Sequence, residues 1–253
     1  MSAFVSRGVS RRPVVLLGDV GVGKTTFIRH LVKIDAKEEL ARSIVLYIDF
    51  GSSPALRRDL EAYVAEAFSE QLLIDYEIDI MADSFVRAVY NGEVNRFAKG
   101  IYGRLRSSQP DRFQDEEMAM LASLTQKRES HLKRSLEHLR ASQGRGCVVF
   151  FDNIDQREVD FQDAVYLIAQ GLCDTWNLTT FVSLRPETFN VSKTIRIAVG
   201  LSARIFTISP PRIDQVVSKR LEYALRAIVQ PDSRCKAKVS RSTVHFFRTT
   251  FKF

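Results

Sequence analysis

Five short apolar runs punctuate the chain: Val14–Leu17, Ser43–Phe50, Cys147–Asp152, Leu178–Leu184 and Arg204–Ile208. Runs this short, apolar at nearly every position, read as strands buried on both faces, the signature of a parallel sheet. Helical spacing fills much of the rest. Thr26 to Lys33 carries Phe27, Ile28 and Leu31. Leu56, Leu60, Tyr63, Val64, Ala67, Phe68 and Leu72 repeat on one face after a Ser53–Pro54 helix start. Phe161 to Cys173 is a further helix. Ser209-Pro210-Pro211 opens another, with Ile213, Val216, Val217, Leu221, Leu225 and Ile228 on its apolar face. Strands alternating with helices predict an α/β fold, a five-stranded parallel sheet with helices on both faces.

One interval departs from that rhythm. Residues 75–145 separate the second and third strands, far more than a crossover needs. Asp83 to Leu105 reads helical, interrupted near Asn91-Gly92 and Gly100–Gly103. Gln114 to Ala141 reads as one long helix, with Met118, Leu121, Leu124, Arg128, Leu132, Leu136 and Leu139 close to one stripe. We read a helical insertion, which either packs on the sheet edge or offers a surface to a protein partner or a second copy of the chain. His131 and His138, two turns apart on a charged helix, read as solvated rather than as metal ligands.

The chemistry concentrates after the first strand. Gly18-Asp19-Val20-Gly21-Val22-Gly23-Lys24-Thr25, followed by Thr26, fits G-x-x-x-x-G-K-[ST], the phosphate-cradling P-loop. Strand, glycine-rich loop and helix start occur in the order the motif requires. Glycines let successive backbone N–H groups face one anion at a helix N-terminus, where the partial charge is positive. Lys24 then reaches the β- and γ-phosphates, and Thr25 offers its hydroxyl to Mg²⁺. The third strand ends in Asp152, a carboxylate suited to holding Mg²⁺ through water, followed by Asn153-Ile154-Asp155-Gln156-Arg157. The fourth ends at Arg185-Pro186. Gly18, Asp152 and Arg185 thus fall at the carboxyl ends of three strands, where α/β sheets bind ligands.

Composition adds bounds. At 45% hydrophobic, 253 residues can bury a sizeable core. No apolar run approaches the roughly 18 residues of a membrane span, and the N-terminus lacks a signal-peptide apolar region. Cys147, Cys173 and Cys235 lack metal-ligand spacing and suggest reduced thiols in a cytoplasmic protein. The net charge of +7 sits at the ends. Residues 1–13 hold Arg7, Arg11 and Arg12 without an acid and read as a flexible lead-in. Residues 231–253 set Arg234, Lys236, Lys238, Arg241, Arg248 and Lys252 against Asp232 and read as a basic, truncated or divergent tail. The body, 14–230, is near neutral, so DNA is a weakly supported partner.

The order of signals resembles the ASCE branch of P-loop NTPases, the group holding AAA+ and STAND ATPases. The resemblance covers roughly residues 13–228 at fold level. It implies ATP and Mg²⁺ as ligands, with Thr25 and Asp152 at the metal. It also implies that the fourth strand inserts between the first and third. Ser183-Leu184-Arg185 resembles the STAND pattern in which the arginine senses the γ-phosphate. Phe150–Arg157 is similar to the Walker B region of KAP and origin-recognition-type ATPases. One position departs: where AAA+ enzymes carry a glutamate after the Walker B acid, this chain has Asn153. Asp155 is the remaining nearby carboxylate and could polarise the attacking water, and Arg157 and Arg220 are candidates for action between subunits. The resemblance therefore implies a slow ATPase acting as a switch. The alternatives are a DNA-associated ATPase of the origin-recognition or transposition-helper kind, and a nucleotide-holding scaffold without turnover.

Overall fold

The computed structural model describes residues 12–51, 59–192, 204–210 and 212–229. Its centre is a sheet of five parallel strands, β1 (Val14–Leu17), β2 (Ile44–Asp49), β3 (Cys147–Asp152), β4 (Thr179–Leu184) and β5 (Arg204–Thr207). The order across the sheet is β2-β3-β4-β1-β5. The fourth strand lies between the first and third, with Val14 opposite Phe181 and Val148 opposite Thr179.

The helices are α1 (Lys24–His30), α2 (Lys37–Leu40), α3 (Leu60–Tyr76), α4 (Asp83–Val89), α5 (Asn91–Lys99), α6 (Leu105–Ser108), α7 (Pro110–Thr125), α8 (Arg128–Gln143), α9 (Val159–Thr175), α10 (Pro186–Val191) and α11 (Ile213–Val229). Side chains alternate across the strands and so face two cores. On one face Val15, Leu17, Leu46, Ile48, Val149, Phe151, Val182 and Leu184 pack with residues of α3, α8 and α9. On the other Val14, Leu16, Tyr47, Val148 and Phe150 meet Ile28 of α1. Burial from both sides is why the strands read as unbroken apolar runs.

The inserted stretch is not an appendage. Leu132, Leu136 and Leu139 of α8 are buried in the main core beside Phe68 and Leu72 of α3. Outside them Val86, Tyr90 and Leu121 form a small core of their own. The long helix expected over Gln114–Ala141 is instead two, broken at Gln126–Lys127, where Lys127 leaves helical geometry (φ −84°, ψ 89°). The expected stripe serves two different cores, which one straight helix cannot face together. Met118, on that stripe, is 53% exposed.

Neither histidine is solvated as the sequence suggested. His131 is buried, its Nε2 2.8 Å from the Ile80 carbonyl, to which it must donate, and its Nδ1 3.1 Å from the Tyr90 hydroxyl. His138 is half-buried, edge-on to the Phe85 ring. Two polar partners within the protein replace water around His131, which makes its burial tolerable.

The sheet is also less covered than its pattern implied. β5 pairs with β1, and Ile208 N donates to Leu17 O at 2.7 Å, yet Ile205 and Phe206 are exposed. Val217 and Leu221 of α11 are exposed as well. Among the described residues β5 is the last strand of the sheet, and α11 does not lie down on it closely enough to cover these side chains. Lead-in residues 1–11, the Ser53–Pro54 helix start and the basic tail lie outside the described residues. Within the described residues α3 begins at Leu60, capped by Asp59, whose carboxylate accepts from Ala62 N at 2.9 Å. No described helix is long and apolar enough to cross a membrane.

Candidate functional site

β1 delivers the chain into the loop Gly18–Gly23, and α1 leads it out. Gly18 sits where the backbone is crowded. A Cβ there would lie 2.7 Å from Val22 Cγ2 and 3.1 Å from Ile208 O. Gly23 has φ 95°, the left-handed region that side chains resist, and it caps α1 without a side chain. The first turn of α1 contains no acid. Its N–H groups are thus uncapped by side chains, and Asp19, Val20 and Gly21 before them are open to solvent.

Lys24 is buried and folds back over this loop. Its ammonium donates to Gly18 O at 2.6 Å and Asp19 O at 3.2 Å, and pairs with Asp155 Oδ2 at 3.1 Å. Arg185, at the start of α10, reaches the same oxygen through Nε at 2.9 Å. Asp155 is nearly buried, its side chain 5% exposed. Two cations share one carboxylate, which leaves the cluster with a surplus positive charge at the mouth of the loop.

Thr25 Oγ1 donates to Asp152 Oδ2 at 2.6 Å. The Tyr47 hydroxyl donates to the same oxygen at 2.8 Å, and Asp152 Oδ1 accepts from Asn153 N at 2.9 Å. These donors satisfy a carboxylate that is fully buried. Burial, and then the charge of Asp152, push the Tyr47 phenol well above its ordinary value, so it remains a donor.

Asn153 has φ 56°, a left-handed conformation that asparagine tolerates better than most residues. Its side chain turns to β2 and donates to Asp49 Oδ1 at 2.8 Å. Arg157 does not project outward; its Nε and Nη2 donate to Phe50 O at 3.0 and 2.9 Å, tying down the exit of β2. Arg220 is exposed on α11. The Ser183 hydroxyl, fully buried on β4, has no hydrogen-bond partner among the described residues. An unsatisfied buried hydroxyl costs about 1–3 kcal/mol.

The structure therefore gathers Lys24, Thr25, Asp152, Asp155 and Arg185 in two adjacent networks, Lys24–Asp155–Arg185 and Thr25–Asp152 with Tyr47. Gly18 to Gly23 form the loop beside them, and Thr26 faces solvent on the first turn of α1. Tyr47 and Asp49 are the residues that motif reading missed. A signal existed: β2, like β3, is an apolar run that ends in aspartate, and parallel pairing sets Asp49 opposite Asp152. The groove of about 370 Å³ lined by Leu60, Val64, Leu167, Leu172 and Trp176 lies on the other face of the sheet. No protein-family model, curated protein or solved structure matches the chain.

Proposed function

We infer that this chain is a P-loop ATPase of AAA+/STAND-like type, which binds Mg·ATP at Gly18–Thr26 and hydrolyses it slowly as a switch. The observation that carries the reading is the bond between Thr25 and Asp152 beside the Lys24–Asp155–Arg185 cluster. Each of these groups has a task in phosphoryl transfer, and all converge next to an uncapped helix start.

The donor set fits the ligands. Backbone N–H groups after Gly23 and the surplus positive charge favour a polyphosphate. Thr25 and Asp152, the latter through water, would hold Mg²⁺, whose chemistry is to neutralise charge on the β- and γ-oxygens. A hydroxyl and one carboxylate leave room for the waters and phosphate oxygens that this ion requires. The Ser183 hydroxyl on β4 is a buried polar group without a partner among the described residues.

Binding has a built-in consequence. Lys24 exchanges Asp155 and two loop carbonyls for the phosphates. Asp155 is then left to Arg185 alone, and Arg185 carries the change into β4 and α10. That exchange is the switch. Slow turnover is expected because Asn153, an amide that cannot take a proton, stands where AAA+ enzymes carry a glutamate. The test is Mg·ATP binding by calorimetry and phosphate release on the purified chain beside Lys24→Ala and Asp152→Ala. The reading requires wild-type binding that Lys24→Ala abolishes, with turnover lost in both variants. A wild-type chain that binds no nucleotide sinks it.

A further inference from the structure

Three aspartates stand at the carboxyl edge of β2 and β3, and their hydrogen bonds divide the labour among them. Asp152 has Oδ2 engaged by Thr25 and Tyr47 and Oδ1 by Asn153 N. Asp155 has Oδ2 engaged by Lys24 and Arg185. The third, Asp49, is held from the position at which AAA+ enzymes carry a glutamate: Asn153 Nδ2 reaches its Oδ1 at 2.8 Å.

We propose that Asp49, presented by β2 and oriented by Asn153, is the carboxylate that positions the attacking water and takes its proton. The proposal rests on the ATP-hydrolysis reading above. Strand alternation puts Tyr47 and Asp49 on the same sheet face as Phe150 and Asp152, the face on which α1 packs. Asp49 and Asp152 are direct partners in the parallel register. The left-handed backbone at Asn153 sends the side chain sideways to β2. The carboxylate that the Walker B strand lacks is thereby supplied by its neighbour, and Asn153 becomes a positioning residue.

The presentation is rigid. Gly51 N donates to Asp49 Oδ1 at 2.9 Å, and Arg157 holds Phe50 O through two bonds. A Cβ at Gly51 would lie 2.8 Å from Gln156 Oε1 and 3.0 Å from Asn153 Cβ, so the β2 exit is seated directly against the 153–157 turn. Such support holds a reacting group in place before the substrate arrives.

The step balances as a hydrolysis. The water oxygen bonds to the γ-phosphorus. The bond from that phosphorus to the β,γ-bridging oxygen breaks, and its electron pair leaves with ADP. One water proton passes to Asp49 and from there to solvent or to the released phosphate. Asp155 remains the charge partner of Arg185.

The experiment compares the full chain with Asp49→Asn, Asn153→Ala and Asp155→Asn. Three quantities are read: phosphate release at saturating Mg·ATP, affinity for Mg·ADP, and affinity for Mg·ADP with aluminium fluoride, which mimics the transferring group. Asp49→Asn should bind Mg·ADP within about threefold of wild type. It should lose about 100-fold in kcat, the usual scale of general-base catalysis, and a similar factor in the aluminium-fluoride enhancement. Asn153→Ala, which keeps the carboxylate but loosens it, should lose about 10-fold in both, and it carries the test if Asp49→Asn does not fold. Asp155→Asn strips Lys24 and Arg185 of their shared partner, so its effect should appear in the affinity for Mg·ADP as well as in turnover. Normal ADP binding with undiminished turnover in Asp49→Asn and Asn153→Ala would overturn this assignment alone, as would loss of turnover confined to Asp155→Asn. A wild-type chain without nucleotide binding would overturn the ATPase reading and this one together.

Discussion

Thr25 Oγ1 lies 2.6 Å from Asp152 Oδ2, which joins residues 127 positions apart across two strands of the sheet. The hydroxyl comes from the first turn of α1 and the carboxylate from the end of β3, and under the Mg·ATP reading proposed above the two share a cation. Thr25→Ala and Asp152→Asn should each weaken Mg²⁺-dependent ATP binding by about 10-fold or more. ATP binding in the presence of chelator should change far less. Calorimetric titrations with and without Mg²⁺ separate the two, and equal losses in both would remove the metal role.

Asp155 answers two cations, so its removal should cut both ways. Asp155→Asn leaves the buried Lys24 ammonium without a counter-charge, and breaking a buried pair costs about 3–5 kcal/mol. The empty protein should melt earlier than wild type. Phosphates can then replace the lost carboxylate, so saturating ATP should raise the melting temperature more in the variant than in the wild type. A variant whose melting is unchanged in the absence of nucleotide would show that the pair does not hold the empty site together.

Alkaline stability follows from the buried phenols and the buried thiol. Tyr47, Tyr76 and Tyr166 lie above their ordinary value of 10, the last two at about 12, and Cys147 is raised to about 12, burial being the first cause in each. The unfolded chain therefore loses these protons first. Stability is intact below about pH 8 and falls as pH rises through 9 for the thiol and through 10 for the phenols, by about 1.4 kcal/mol per pH unit for each group that stays protonated in the fold. Tyr47→Phe should flatten that slope while weakening Mg²⁺ binding about 10-fold, because Asp152 loses a hydrogen bond. Urea unfolding at a series of pH values reads the slope, and an unchanged slope would contradict the burial of this hydroxyl.

The inserted helices should behave as two kinds of structure. Leu139→Ala, in the core that α8 shares with α3, should cost about 2–5 kcal/mol, whereas Met118→Ala at an exposed position of α7 should lie within about 0.5 kcal/mol of wild type. Chemical denaturation measures both. Comparable small losses would mean that α8 is an appendage after all.

The local text of the chain determined a good deal. Apolar runs with no polar face announced the strands because both sides of a central parallel strand are dry, as at Leu46 and Val149. Gly18, Gly23, Lys24 and Thr25 stood out because a glycine-rich loop and the helix start after it are neighbours in sequence, and Asp152 and Arg185 because strand ends declare themselves. Other features were decided only by the tertiary structure. The break at Lys127 depends on which core each half of the helix meets, which the apolar period does not encode. The burial of His131 depends on Tyr90 and on the Ile80 carbonyl, both distant in sequence. The exposure of Ile205 and Phe206 depends on β5 being last in the sheet. The partners of Tyr47, Asp49 and Asp155 depend on distances between strands and loops that only packing sets, since a side chain meets only the donors and acceptors that the folded chain brings to it.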